Sequence, residues 1–194
     1  MNRASFLVSG CVALSLVLGA ACGDDGGGDE TVVDKTVGEP TTEPSRNDAP
    51  AELVLTSPAF TDGGELPEEF SCNGAGLSPA LAWTGLPDGT LELALTVEDP
   101  DTARGTFVHW VTWGIDPAPG ELAQDTPGAV EGTPAWIPAC PPPGDPHRYV
   151  FTLYALDAPL ELSPGATIDE LTAAVEGTTL GTAQLTGLYA PSGS

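Results

Sequence analysis

The chain holds only two histidines, and both stand beside groups that could do chemistry. His109 lies in FVHWV, and His147 follows a proline-rich turn in CPPPGDPHRYVF, with Tyr149 two residues further on. A third segment, EDPDTARG, places Asp99 and Asp101 on either side of Pro100. Imidazoles can donate N–H groups to oxyanions or move protons, and an aspartate can fix an imidazole tautomer or accept from a ligand amine. Each motif has a plainer explanation too. A histidine among apolar residues can be a core residue satisfied by a carbonyl, and Asp-Pro-Asp is a common turn initiator. Arg148, beside His147, reads more simply as a strand-edge cation paired with an acid than as a ligand.

Other chemistries are excluded by what is missing. The stretch from residue 53 to 190 contains 19 acids, two arginines and no lysine. That removes a P-loop, a Schiff base and a kinase-type nucleotide site, and no HExxH, GxSxG or CxxC motif occurs. Over the whole chain, 28 acids against five bases give a net charge of −23. Such an acidic protein lacks the basic surface that nucleic acid requires. No metal site and no cofactor are expected.

The elements that must position these groups are mainly strands. LELALTVE, residues 91–98, alternates, with Leu91, Leu93, Leu95 and Val97 on one face. FVHWVTWGI and RYVFTLYAL are apolar on both faces and read as central, adjacent strands. Phe107, His109, Val111 and Trp113 should share a face, as should His147 and Tyr149. One helix is expected in TIDELTAAVEG, where Thr167 and Glu170 have capping-box spacing, Ile168, Leu171 and Val175 form the stripe and Gly177 ends it. A last strand, TAQLTGLY, follows. The fold class is mainly β, an antiparallel β-sandwich with one or two peripheral helices.

The N-terminal part differs in kind. Arg3, the apolar run 4–18 and the small residues before Cys22 have the anatomy of a signal peptide over residues 1–21. Cys22 at its end resembles the acylated cysteine of bacterial lipoproteins, although Gly19 stands where leucine is usual. Residues 22–52, rich in Gly, Pro, Thr and acids, read as a disordered tether spanning roughly 30 Å. The folded domain is expected at 53–190, with a flexible tail at 191–194. These features imply export, with a lipid anchor holding the protein at a membrane facing the periplasm or cell exterior, or secretion without it.

Taken together, DPDTARGTFVHWV and CPPPGDPHRYVFTLYAL resemble the phosphatidylethanolamine-binding protein family, in particular its bacterial Raf-kinase-inhibitor-like branch. The resemblance implies a Greek-key arrangement with a small anion pocket at one edge. It carries ligand-binding roles onto Asp99, His109, His147 and Tyr149, with Asp101 in the same segment, Pro142 or Pro143 as a wall and Phe107 as an aromatic neighbour. Two imidazole donors would hold phosphate oxygens, with affinity rising as pH falls through about 6.5 if both rings are unperturbed. The segment GAVEGTPAWIPAC departs from the family pattern and looks shortened, with Trp136 in its middle.

Cys72 and Cys140, both in loops of an exported chain, are expected to be joined. The function expected is binding of a small phosphorylated or anionic ligand, such as phosphoethanolamine. The alternatives are an interaction protein that inhibits a kinase or protease, with no partner identified, and an acid–base hydrolase. No nucleophile motif supports the last, so the chain is not expected to be an enzyme.

Overall fold

The computed structural model describes residues 52–126 and 135–191. The expected signal segment, Cys22, the tether up to residue 51, part of the loop before Cys140 and residues 192–194 lie outside them.

Among the described residues, eight strands and one α-helix follow in chain order: β1 (Val54–Thr56), β2 (Gly64–Glu65), β3 (Leu81–Thr84), β4 (Glu92–Asp99), β5 (Phe107–Ile115), β6 (Glu121–Leu122), β7 (His147–Leu156), α1 (Ile168–Val175) and β8 (Thr179–Tyr189). They form a three-stranded sheet, β1-β3-β6, and a five-stranded sheet, β2-β8-β7-β4-β5. Pairing is antiparallel except for two-residue β2, which runs parallel to β8.

The two sheets share one core. Leu55, Leu81, Trp83 and Leu122 of the small sheet pack with Leu93, Leu95, Val97, Phe151, Leu153 and Leu185 of the large one. The opposite face of the large sheet carries a second cluster, in which Ala94, Val111, Trp113 and Leu156 meet Leu171 and Val175 of α1. The helix begins as expected: the Thr167 hydroxyl accepts from Glu170 N–H while the Glu170 carboxylate accepts from Thr167 N–H. That reciprocal cap satisfies donors that the first turn otherwise leaves unpaired.

Strand order corrects two expectations. β4, whose alternation suggested one solvent-facing side, is buried on both faces, because Ala94 and Thr96 lie under cover as fully as Leu93 and Leu95. Leu91 falls before the strand and is exposed. β5 is the outer strand of its sheet, and β4 separates it from β7. The two histidine-bearing strands are therefore not neighbours.

β5 also breaks its own alternation. Val97 pairs with Trp110 but the next residue, Glu98, pairs with Val108, so His109 is an extra residue opposite β4. A bulge of this kind leaves one residue unpaired and re-aims the side chains around it. The expected shared face of Phe107, His109, Val111 and Trp113 is consequently lost. Val111 and Trp113 turn toward the helix, while Trp110 and His109 face the inter-sheet side. A second register shift in the same pair lies between Leu93 and Leu95, beside Gly114, whose φ of 69° favours glycine.

Candidate functional site

The apolar rows of the large sheet turn polar at one end. Along β4, Leu93, Leu95 and Val97 are followed two residues later by Asp99; along β7, Leu153 and Phe151 lead back to Tyr149 and His147. Period-two alternation keeps each row on one face. The bulge in β5 brings His109 to the same place. Asp99, His109, His147 and Tyr149 all line one cavity of about 540 Å³, together with Asp101, Phe107, Arg104 and Pro142. Pro143 is not among its walls; it lines an adjoining groove with Pro146 and Arg148, which shares Asp101, Pro142 and His147 with the cavity. Pro141, buried and not singled out by sequence, forms the wall instead.

Asp99 is the organising charge. It is 3% exposed, and both carboxylate oxygens are occupied: Oδ2 lies 2.6 Å from His147 Nδ1, and Oδ1 accepts from Asp101 N–H at 2.8 Å. Donation from His147 places its proton on Nδ1 and leaves Nε2 for the cavity. Asp101 is used otherwise. Its carboxylate takes a forked interaction from the Arg148 guanidinium, at 2.9 Å from Nε and 2.6 Å from Nη2, and also accepts from Arg148 N–H. Those bonds hold the Asp101 carboxyl down at about 2. Arg148 is thus the strand-edge cation that its position suggested. Arg104 lines the cavity and has no ion-pair partner among the described residues.

His109 lies against aromatic rings: Phe107 at 4.8 Å, Tyr149 at 4.9 Å and Trp136 at 5.8 Å between centroids. Its Nδ1 lies 2.8 Å from the Ile137 carbonyl oxygen, and Ile137 N–H donates to the His109 carbonyl at 2.9 Å. The plain reading of a core histidine satisfied by a carbonyl therefore holds for one ring nitrogen. The other, Nε2, is buried and has no hydrogen-bond partner. Burial moves His109 below its ordinary imidazole range, and the Ile137 carbonyl and Asp99 oppose that shift without cancelling it. Tyr149 is driven the other way. Burial first, and then the Asp99 charge, raise the phenol well above its usual range. The Cys140 backbone favours ionisation slightly, yet the hydroxyl makes no well-formed hydrogen bond.

The segment around Trp136 was expected at one rim of the pocket, but Ile137 and Pro138, which line the cavity, were not singled out. Trp136 stacks on Phe151 at 6.1 Å, and Ala139 joins Phe70 and Cys72 through backbone hydrogen bonds. The disulfide between Cys72 and Cys140, with Cα atoms 5.4 Å apart, closes the same segment. Only the composition of PAWIPAC, a tryptophan and an isoleucine between prolines, signalled an apolar anchor there. Among the described residues, no group of three or more His, Cys, Asp or Glu side chains is placed to hold a metal ion.

A fold with this sheet order and this site defines a class. Residues 56–190 match the family model described as phosphatidylethanolamine-binding protein. The chain belongs to the phosphatidylethanolamine-binding protein family. Among solved structures it is similar to one described as a "Putative PhosphatidylEthanolamine-Binding Protein (PEBP) Homolog" from Chlamydia trachomatis, with 33% identity and a TM-score of 0.67, covering 73% of this chain and 99% of that one. It is also similar to E. coli YbcL, described as a new member of the mammalian PEBP family, with 26% identity and a TM-score of 0.66 over 73% of this chain and all of that one. In sequence it is 39% identical to the Mycobacterium tuberculosis protein named "Putative lipoprotein LppC", over 97% of each chain. A UPF0098 protein of Methanothermobacter thermautotrophicus is 40% identical, over 71% of this chain and 98% of its own.

Proposed function

We propose that the chain is an exported binding protein whose cavity takes small phosphorylated ligands such as phosphoethanolamine. The observation that carries this reading is the convergence of four polar residues from three strands on one cavity. The buried His109 Nε2 and Tyr149 hydroxyl have no partner there, and buried polar atoms without partners are uncommon unless something else satisfies them. Arg104 adds positive charge at the same cavity, and the Asp99–His147 pair presents an imidazole edge whose orientation is fixed. Anchoring through an acylated Cys22 is part of the proposal; the lipoprotein name of the mycobacterial relative, aligned over 97% of both chains, supports it.

Titrating phosphoethanolamine into the protein by calorimetry tests the binding function. Saturable heat that disappears in a His147→Ala variant is expected. No heat with the folded wild type would overturn the reading. For the anchor, fatty-acid labelling should mark the wild type and not Cys22→Ser, and equal labelling of both would rule it out.

A further inference from the structure

The polar atoms of the cavity differ in what they can still accept or donate. Both oxygens of Asp99 are occupied, as is Nδ1 of His147. The unpartnered buried atoms are His109 Nε2 and Tyr149 Oη, in rings 4.9 Å apart. A carbonyl only accepts, so the proton between His109 and Ile137 O belongs to Nδ1. In the neutral ring Nε2 is then a bare acceptor. Putting a second proton on it would place a cation in a ring that is 4% exposed, which desolvation opposes. The charged and titratable groups around this ring are Asp99 from β4, His147 and Tyr149 from β7, and Asp101 and Arg104 from the connection between β4 and β5. The indole of Trp136 adds a further N–H without a partner.

We infer that the site selects a phosphate that still carries a proton: a phosphomonoester monoanion whose P–OH donates to His109 Nε2 while a neighbouring P–O⁻ accepts from the Tyr149 hydroxyl. This rests on the phosphate reading above and narrows it. A phosphodiester and a sulfate monoester have similar charge and shape but no acidic hydroxyl. Either would set an oxygen lone pair against the Nε2 lone pair in a buried place, leaving both unsatisfied. The dianion of a monoester has the same defect. Selection by proton content rather than by charge follows from the Ile137 carbonyl claiming the one proton that a neutral His109 carries.

The test is a set of calorimetric titrations of the wild-type protein at about pH 5.5 and about pH 8, on either side of a phosphomonoester second pKa near 6. The probes are phosphoethanolamine, its sulfate-ester analogue and glycerophosphoethanolamine, a diester. Phosphoethanolamine should bind at the lower pH and weaken about tenfold or more at the higher. At the lower pH the sulfate ester and the diester should each bind about tenfold or more weaker than the monoester, the worth of one hydrogen bond to a charged group. The sulfate ester does not titrate in this range, so it reports the protein's own pH response and separates it from the ligand's. A diester or sulfate ester that matches the monoester, or a monoester affinity equal at both pH values, overturns the inference and leaves the phosphate site standing. Failure of all three probes to bind removes both. Nitrogen-15 spectra supply an independent check: His109 should stay the Nδ1–H tautomer in the complex, and an imidazolium there would also overturn it.

Discussion

His147 Nδ1 and Asp99 Oδ2 lie 2.6 Å apart, on adjacent strands β7 and β4 but 48 residues apart in the chain. Because Asp99 also accepts from Asp101 N–H, its carboxylate cannot rotate freely, and the imidazole it holds is fixed in turn. That relationship gives the cavity an imidazole edge of fixed orientation.

Asp99→Asn should weaken phosphoethanolamine binding while leaving the fold intact. The amide keeps the shape, but it removes the charge that fixes the His147 tautomer. A loss of about tenfold to a hundredfold in Kd is expected, corresponding to roughly 1.5–3 kcal/mol for one charge-assisted hydrogen bond. Calorimetry with a parallel thermal melt measures both, and unchanged affinity would show that Asp99 does not organise the site.

His109 should titrate below the ordinary imidazole value near 6.5, because burial disfavours its cation. Its folded pKa is thus below its unfolded one. Stability is undiminished above about 6.5 and declines as pH falls below it, where the unfolded chain binds the proton more readily. Proton spectra of His147→Gln, which leaves one imidazole to follow, would give the midpoint, and a value above 6.5 would contradict the desolvation argument.

Asp101 acts at lower pH. Its carboxyl is held at about 2 by the Arg148 fork, against an ordinary 3.8. The stabilisation is present above 3.8 and is lost as pH falls toward 2. The pair is largely exposed, so solvent screens it and the effect should be small. In acid unfolding followed by circular dichroism, Asp101→Asn should flatten the limb between these values, and an unchanged limb would show that the pair is silent.

Reducing the Cys72–Cys140 disulfide should destabilise the domain by about 4 kcal/mol in the chain-entropy account, given the sequence separation of 68 residues. Cys140 and Pro141 line the cavity, so ligand affinity should fall with it. Thermal melts and titrations with and without reductant test the two effects separately. An affinity unaltered in the still-folded reduced protein would show that the wall holds without the bridge.

Much of the fold was legible because local patterns act locally. The capping box at Thr167 and Glu170 marks the helix start through bonds within three residues, and the two-sided apolar run of β7 signals cover on both faces. His147 and Tyr149 could be placed on one face for the same reason. The reach of that logic ended at β5, where the alternation would have been trusted through a bulge. Only pairing with β4 reveals His109 as the extra residue, since a bulge is defined by two strands together.

The order of residues settles which groups are available: two histidines, an aspartate at a strand end, a tyrosine two residues beyond His147 and no lysine in the domain. Residue chemistry and short-range periodicity are properties of the chain. Tertiary structure decided their employment. It set β4 between the histidine strands, so that Asp99 meets His147 while His109 turns its Nδ1 to Ile137. It also occupied Arg148 with Asp101 and exchanged Pro143 for Pro141 in the wall. Hydrogen bonds extend only about 3 Å, and which partners come within that range depends on how distant segments pack, which no local pattern encodes.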